Sequence, residues 1–176
     1  AVVSATNRRD RMTPRITSFN EFRDAVSAYR LPRILLTALE LDLFTKIGTR
    51  RWTIPQLAKA VSMSERGLSI LCRNLAMSGL LTKTGQVYRN SRLAATALNA
   101  RDAAYRKNYL DLMTSHWQDW ARLGESVRTG RPLDEDEPEE PGYRQRFTWA
   151  MHHRTLETAP KIAAQVDLHG ATTFLD

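Results

Sequence analysis

The chain has little of what most enzyme chemistry requires. One cysteine, Cys72, stands among 176 residues, so no internal disulfide can form and a reducing cytoplasm suits the chain. Cys72 falls on the apolar face of a predicted helix, the place of a buried structural thiol rather than of a nucleophile. The four histidines, His116, His152, His153 and His169, lack the spacing of a zinc motif. No G-x-G-x-x-G, P-loop or nucleophile elbow occurs. No apolar run approaches the roughly 18 residues needed to cross a bilayer. The first residues, Ala1 to Pro14, are polar and arginine-rich with no apolar h-region, so they do not read as a secretory signal. The start without Met reads as a trimmed or processed end. Repeats are absent, and the one biased segment, Asp134 to Pro141, is acidic and punctuated by proline. A solvated connection is its expected role, and it is a poor metal site without liganding geometry. Nothing in the chain could perform chemistry unaided.

What is present is enough for a core. Hydrophobic residues make up 42% of the chain, which excludes wholesale disorder. The length allows one sizeable domain, or a small domain with attachments. The net charge of +7 invites a nucleic-acid reading, but its distribution weakens that case. Arg8, Arg9, Arg11 and Arg15 form a basic arm over residues 1–16, and most other cations are scattered singly along predicted helices.

The best-defined object runs from Thr53 to Asn90. Thr53 and Gln56 form a capping-box pattern, and Pro55 sits in the first turn, where its missing N–H costs nothing. Ile54, Leu57, Ala58 and Val61 follow on one helical face. After a break at Ser62 and Met63, Ser64 (or Ser62, with Glu65 as its box partner) can cap a second helix. That helix has an apolar stripe of Leu68, Leu71, Cys72 and Leu75, and Gly79 is placed to end it in a left-handed cap. Residues 80–89 read as two short extended runs around a Thr84–Gly85 turn. Helix, tight turn, helix and hairpin, in that order, give a winged helix-turn-helix. Its second helix offers only Arg66 and Arg73 against Glu65, and its hairpin only Lys83 and Arg89. That is thin for an element that must enter a major groove and neutralise phosphates.

On the N-terminal side, Ser18 can cap a helix through Arg30 with Phe19, Phe22, Val26 and Tyr29 along one face. Pro32 then opens a helix to about Lys46, ended near Gly48. Its residues Ile34, Leu35, Leu36, Ala38, Leu39, Leu41, Leu43 and Phe44 leave little polar surface. A helix apolar nearly all round must be covered on several sides, and a subunit interface is favoured over burial by its own neighbours. Beyond the hairpin, Ser91 caps a short helix over 92–98. Longer helical patterns follow at about 103–113 and 114–128, the second closed by Gly130 and Pro132. Trp117, Trp120, Leu123 and Val127 fall at helical spacing and are expected in the core. Residues 143–157 are again helical, and Pro160 starts a short helix to Val166. The last residues, Gly170 to Asp176, turn extended and apolar.

This ordered series resembles the N-terminal half of the S-adenosylmethionine-dependent O-methyltransferases of the caffeate and hydroxyindole type, bacterial small-molecule-tailoring relatives included. The pieces are the apolar helix 33–44, Thr53 to Ala58, Leu71 to Leu81, and the hairpin end Tyr88 to Ser91. They continue with Trp120 to Leu123, Thr129–Gly130, Phe147 to Met151, and Phe174 to Asp176. The resemblance implies a mainly α fold in which the winged helix and its extra helices (17–99) build a homodimer instead of reading DNA. It implies a helical substrate-pocket region at 100–170, and at 171–176 the first strand of an α/β, Rossmann-like domain that the chain lacks. Asp176 matches that strand's final acid. The glycine loop, the ribose-holding acid and the general-base histidine would all lie beyond it, so the fragment alone is expected to be inactive. By the same resemblance, Leu110, Tyr143, Phe147 and Met151 line the pocket of a small, aromatic hydroxyl acceptor. Phe147 and Thr155 contact S-adenosylmethionine. No catalytic or metal-ligating residue is carried over, and His152 and His153 are read as surface or inter-domain residues. The alternative from the residues themselves is a winged-helix DNA-binding transcriptional regulator with a helical effector region.

Overall fold

The computed structural model describes residues 15–133, 142–166, 170 and 172–173. The basic-arm residues Arg8, Arg9 and Arg11, the acidic segment 134–141, His169 and most of the expected terminal strand, Asp176 included, lie outside the described residues. The described fold is mainly helical, with one small antiparallel sheet.

The chain enters through α1 (Phe19–Ser27). Glu21 N–H donates to Ser18 Oγ and Ser18 N–H donates back to Glu21 Oε2, closing a capping box. The helix stops at Ser27 and not at Arg30, and α2 (Arg30–Glu40) begins after a tight turn at Ala28 and Tyr29. Pro32 explains the break, because it has no N–H to give the carbonyl of Ala28. The single apolar helix expected to about Lys46 is also divided. Asp42 takes a left-handed conformation, φ 51°, and α3 (Leu43–Ile47) starts beyond it. Aspartate is among the few non-glycine residues that tolerate this region. Lys46 Nζ caps the freed carbonyl of Leu41 at 2.8 Å.

A short strand β1 (Trp52–Thr53) leads into α4 (Ile54–Val61). Thr53 and Gln56 form both bonds of the expected capping box, at 3.0 and 3.4 Å. Ser62 turns left-handed, and Ser64 caps α5 (Glu65–Met77) by accepting from Gly67 N–H. Gly79, φ 74°, ends α5. Leu80 N–H reaches Leu75 O and Gly79 N–H reaches Ala76 O, the two bonds of a Schellman motif. Then β2 (Leu81–Thr84) turns through Gly85 and Gln86 into β3 (Val87–Asn90). The strand order is β1-β3-β2, all antiparallel, with Trp52 opposite Tyr88 and Lys83 opposite Tyr88 on its other edge. The strand β1 has no counterpart in the sequence reading; two residues carry too short a pattern.

The core sits between α2–α5 and the sheet. Leu43, Phe44, Ile47, Leu57, Cys72 and Leu75 are fully buried. Asn90 ties the sheet to α3, its side-chain amide donating to Phe44 O at 2.8 Å and Gly48 O at 3.0 Å. After α6 (Arg92–Thr96), Thr45 Oγ1 accepts from Ala100 N–H and holds the exit of that segment against α3. The remaining helices are α7 (Lys107–Ala121), α8 (Leu123–Thr129), α9 (Tyr143–Thr155) and α10 (Ala159–Ala163). The division at 113–114 is therefore wrong. Residues 107–121 form one helix, since Met113 and Thr114 carry no breaker; the break falls at Arg122. The Trp117–Val127 stripe is not core either. Trp117 is half-buried, but Trp120 and Val127 are more than two-thirds exposed. Periodicity told which face is apolar; within the described residues it is covered only in part, at Trp117.

The apolar region 33–46 is likewise split in its environment. The α3 part is buried by the domain's own sheet and helices, whereas Ile34, Leu35 and Leu36 of α2 are half-buried and Leu31 is exposed. Burial by neighbours thus accounts for the second half and, through Ala38 and the side of Ile34, Leu35 and Leu39 packed on the core, for part of the first.

Candidate functional site

The region named by sequence is a helix pair. α7 packs against α9, and Arg106, just before α7, reaches the far end of α9, so the two run antiparallel. α7 is in turn held on the core by α2, where the Arg33 guanidinium lies 5.6 Å from the centre of the Trp117 ring. Arg33 also makes a bidentate pair with Glu40 at 2.7 and 2.8 Å, which fixes its direction.

On α9, Ala150 is fully buried. Its flanking stripe, Tyr143, Phe147 and Met151, follows i, i+4, i+8 spacing and so shares one side of the helix. Tyr143 and Phe147 stack with ring centres 6.1 Å apart and both stay exposed by about two-fifths. Met151 is half-buried. Thr155 is exposed, and its hydroxyl donates back to Met151 O at 2.9 Å. Leu110, half-buried, stands on α7, the other helix of the pair. The structure thus brings Tyr143, Phe147 and Met151 onto one surface and places Thr155 at the end of the same helix.

Sequence reasoning missed Arg106. Its Nη1 donates to the carbonyl of His153 at 3.0 Å, and its Nη2 lies 3.7 Å from Glu157 Oε1. A cation at the C-terminal end of α9 also meets the negative end of the helix dipole. His153 is half-buried against this arrangement. Its Nδ1 is sealed from solvent and has no hydrogen-bond partner among the described residues. Burial, the Arg106 charge and the neighbouring His152 together hold its pKa below the ordinary histidine value. Trp149 meets the ring of His152 edge-on at 5.4 Å. The surface reading holds for His152, while His153 is an inter-helix residue. Cys72 lies elsewhere, in the core, and burial pushes its thiol up to about 11, as a structural cysteine requires.

A separate open cavity of about 170 Å3 lies between the end of α7 and α8, lined by Asp119, Trp120, Leu123, Ser126 and Leu133. None of the residues named from sequence as site positions borders it.

Residues 24–100 match the family model described as the O-methyltransferase dimerisation domain. The tetracenomycin polyketide synthesis 8-O-methyl transferase of Streptomyces glaucescens is 36% identical over 100 residues, covering 56% of this chain and 30% of that protein. The 3-hydroxy-5-methyl-1-naphthoate 3-O-methyltransferase of Streptomyces sahachiroi is 28% identical over 149 residues, covering 81% of this chain and 43% of that protein. Among solved structures, an O-methyltransferase family protein from Burkholderia thailandensis superposes with a TM-score of 0.74 at 26% identity, over 89% of this chain and 48% of that one. The chain spans less than half the length of these relatives.

Proposed function

We propose that this chain, whose residues 24–100 match the family model of the O-methyltransferase dimerisation domain, is the dimerisation and substrate-pocket half of an S-adenosylmethionine-dependent O-methyltransferase. The observation that carries this reading is the family match combined with a fold shared over 89% of the chain. In this reading residues 53–90 are a winged helix serving as scaffold, within a dimerising unit at 17–99. The region 100–170 walls the pocket, and residues 171–176 begin a cofactor-binding domain that continues past Asp176.

The dimer surface is the exposed apolar side of the first two helices: Phe19, Phe22, Val26, Tyr29 and Leu31. A twofold contact would cover this strip isologously, and obligate homodimers bury on the order of 2,000 Å2 or more. The acceptor is a small aromatic hydroxyl compound. The stacked Tyr143 and Phe147 with Met151 offer an apolar wall suited to a planar ring, and the naphthoate methyltransferase acts by its name on such a hydroxyl. Phe147, two-fifths exposed, and Thr155, exposed on the last turn, suit S-adenosylmethionine along α9. That group, when bound, supplies the methyl for the acceptor oxygen. The residues of this chain orient the acceptor and exclude water, a contribution of positioning. The base that takes the acceptor's proton is assigned beyond Asp176, and the fragment alone is inactive. A reducing cytoplasm is the compartment.

The DNA-regulator alternative gains no support. Lys83 of the hairpin donates to Gly85 O and lies over the Tyr88 ring, so one of its two cations is engaged internally. The deciding experiment joins this chain to the sequence that follows Asp176 and measures transfer of labelled methyl from S-adenosylmethionine to hydroxynaphthoates. Transfer is expected. Salt-sensitive binding to a specific DNA duplex without any transfer would overturn the reading.

A further inference from the structure

The contacts between the start of α7 and the end of α9 do more than pack two helices. Arg106 is the bridge: its guanidinium takes the carbonyl of His153 and faces the carboxylate of Glu157, while its own N–H donates to Ala97 O at 3.0 Å. One residue therefore connects the exit of α6 to the C-terminal turn of α9. Elsewhere α9 packs along α7. Its buried surface is small, with Ala150 its one fully covered residue. A helix with so little apolar burial depends on polar attachment to stay docked.

The imidazole of His153 sits inside this attachment, with Nδ1 sealed and unpartnered. A proton placed there would be a buried charge with no acceptor, next to the Arg106 cation and close to His152. The other charged and titratable groups around it offer little compensation. Lys107 and Asp111 on α7 pair with each other. Tyr109 and His116 of α7 are half-buried, and Glu157 is largely in solvent and already faces Arg106. On α9 itself Arg144, Arg146 and Arg154 are further cations.

We propose that Arg106, His153 and Glu157 form an acid-sensitive latch that docks the C-terminal half of α9 on α7 at neutral pH and releases it when His153 is protonated. That half carries Met151 and Thr155, so the latch controls the order of the surface assigned above to acceptor and cofactor, and this consequence rests on that reading. The direction follows from linkage. His153 binds its proton less readily in the docked state than when α9 is free, so docking is fully stabilised above the ordinary histidine range and weakens as pH falls through it.

The test is amide hydrogen exchange of the full 176-residue chain at about pH 7.5 and 5.5, with rates corrected for intrinsic exchange. α5, which buries Leu68, Cys72 and Leu75, serves as internal reference. Protection over residues 150–157 is expected to fall several-fold on acidification while α5 keeps its own. Arg106→Met should lower α9 protection about tenfold at both pH values, and Arg106→Lys should restore part of it. His153→Gln, which cannot take the proton, should remove the pH dependence and keep the neutral-pH protection. An equal pH effect in H153Q and the parent, or unchanged α9 protection in R106M, would overturn the latch. Exchange needs neither cofactor nor acceptor, so a failed latch leaves the methyltransferase reading standing, and absent methyl transfer leaves the latch result standing.

Discussion

Replacing Asn90 by alanine removes the amide that joins the hairpin to the end of α3. The two carbonyls it serves are not equally dependent on it. Phe44 O keeps a second donor, Gly48 N–H at 2.9 Å, so losing the 2.8 Å bond costs it about 0.5–1.5 kcal/mol. Gly48 O relies on the 3.0 Å bond from Asn90 and would be left in a partly buried position, at about 1–3 kcal/mol. Against these stands a gain. The Oδ1 of Asn90 is itself buried without a partner among the described residues, and alanine deletes that liability, about 1 kcal/mol. The net expectation for N90A is a loss of about 2 kcal/mol. Asn90→Asp should be worse at neutral pH, because an ionised carboxylate would face two carbonyl oxygens with no proton to offer. A carboxyl in that position titrates above its ordinary range, so the deficit relative to N90A should shrink as pH falls and the protonated form regains a donor. Urea unfolding followed by far-UV circular dichroism, at one fixed protein concentration, measures both. If N90A lay within about 0.5 kcal/mol of the parent, or N90D matched N90A at pH 7, the bridging role assigned to Asn90 would be refuted.

Cys72 should resist thiol reagents at pH 8 in the native chain and react once urea unfolds it, since burial pushes its thiol up to about 11; fast native labelling would contradict its place in the core. Cys72→Ser should lower the urea midpoint by an amount equivalent to about 1–3 kcal/mol, the cost of burying a hydroxyl in an apolar site. Gly79→Ala meets no neighbouring atom, so its cost should be that of the left-handed backbone alone, about 1–2 kcal/mol by thermal or urea unfolding. Phe19→Glu combined with Phe22→Glu should convert a dimer to a monomer by sedimentation at micromolar concentration while leaving helicity intact; an unchanged dimer would move the interface elsewhere.

What the sequence revealed was local. The Thr53–Gln56 capping box, the Ser64 cap, the Gly79 stop and the hairpin are each written in a few neighbouring residues, and each appears with the expected hydrogen bonds. The features it hid depend on residues far apart in the chain. Asn90 reaches back more than forty positions to Phe44 and Gly48, and Arg106 reaches forward to His153; neither distance leaves a periodic trace. The tryptophan stripe of α7 and α8 shows the opposite limit. Its spacing defines an apolar face correctly, but spacing cannot say whether the cover comes from the same domain, and here Trp120 and Val127 stand exposed. At the candidate site, the shared stripe of Tyr143, Phe147 and Met151 follows from helical geometry, while the pairing of α9 with α7 required the fold.

The left-handed turn at Asp42 has a consequence for how this region can vary. On one side, α3 answers to the domain's own interior; on the other, α1 and the start of α2 at Leu31 are exposed, while Ala38 of α2 joins the core. A substitution at Phe44 or Ile47 would therefore register as lost folding stability at any protein concentration, whereas one at Leu31 or Phe22, in the dimer proposed above, would show itself only as the chain is diluted. A continuous helix would have turned both sets rigidly together. Because the chain bends at one aspartate, folding and the proposed association draw largely on separate segments, α3 for the one and α1 with Leu31 for the other.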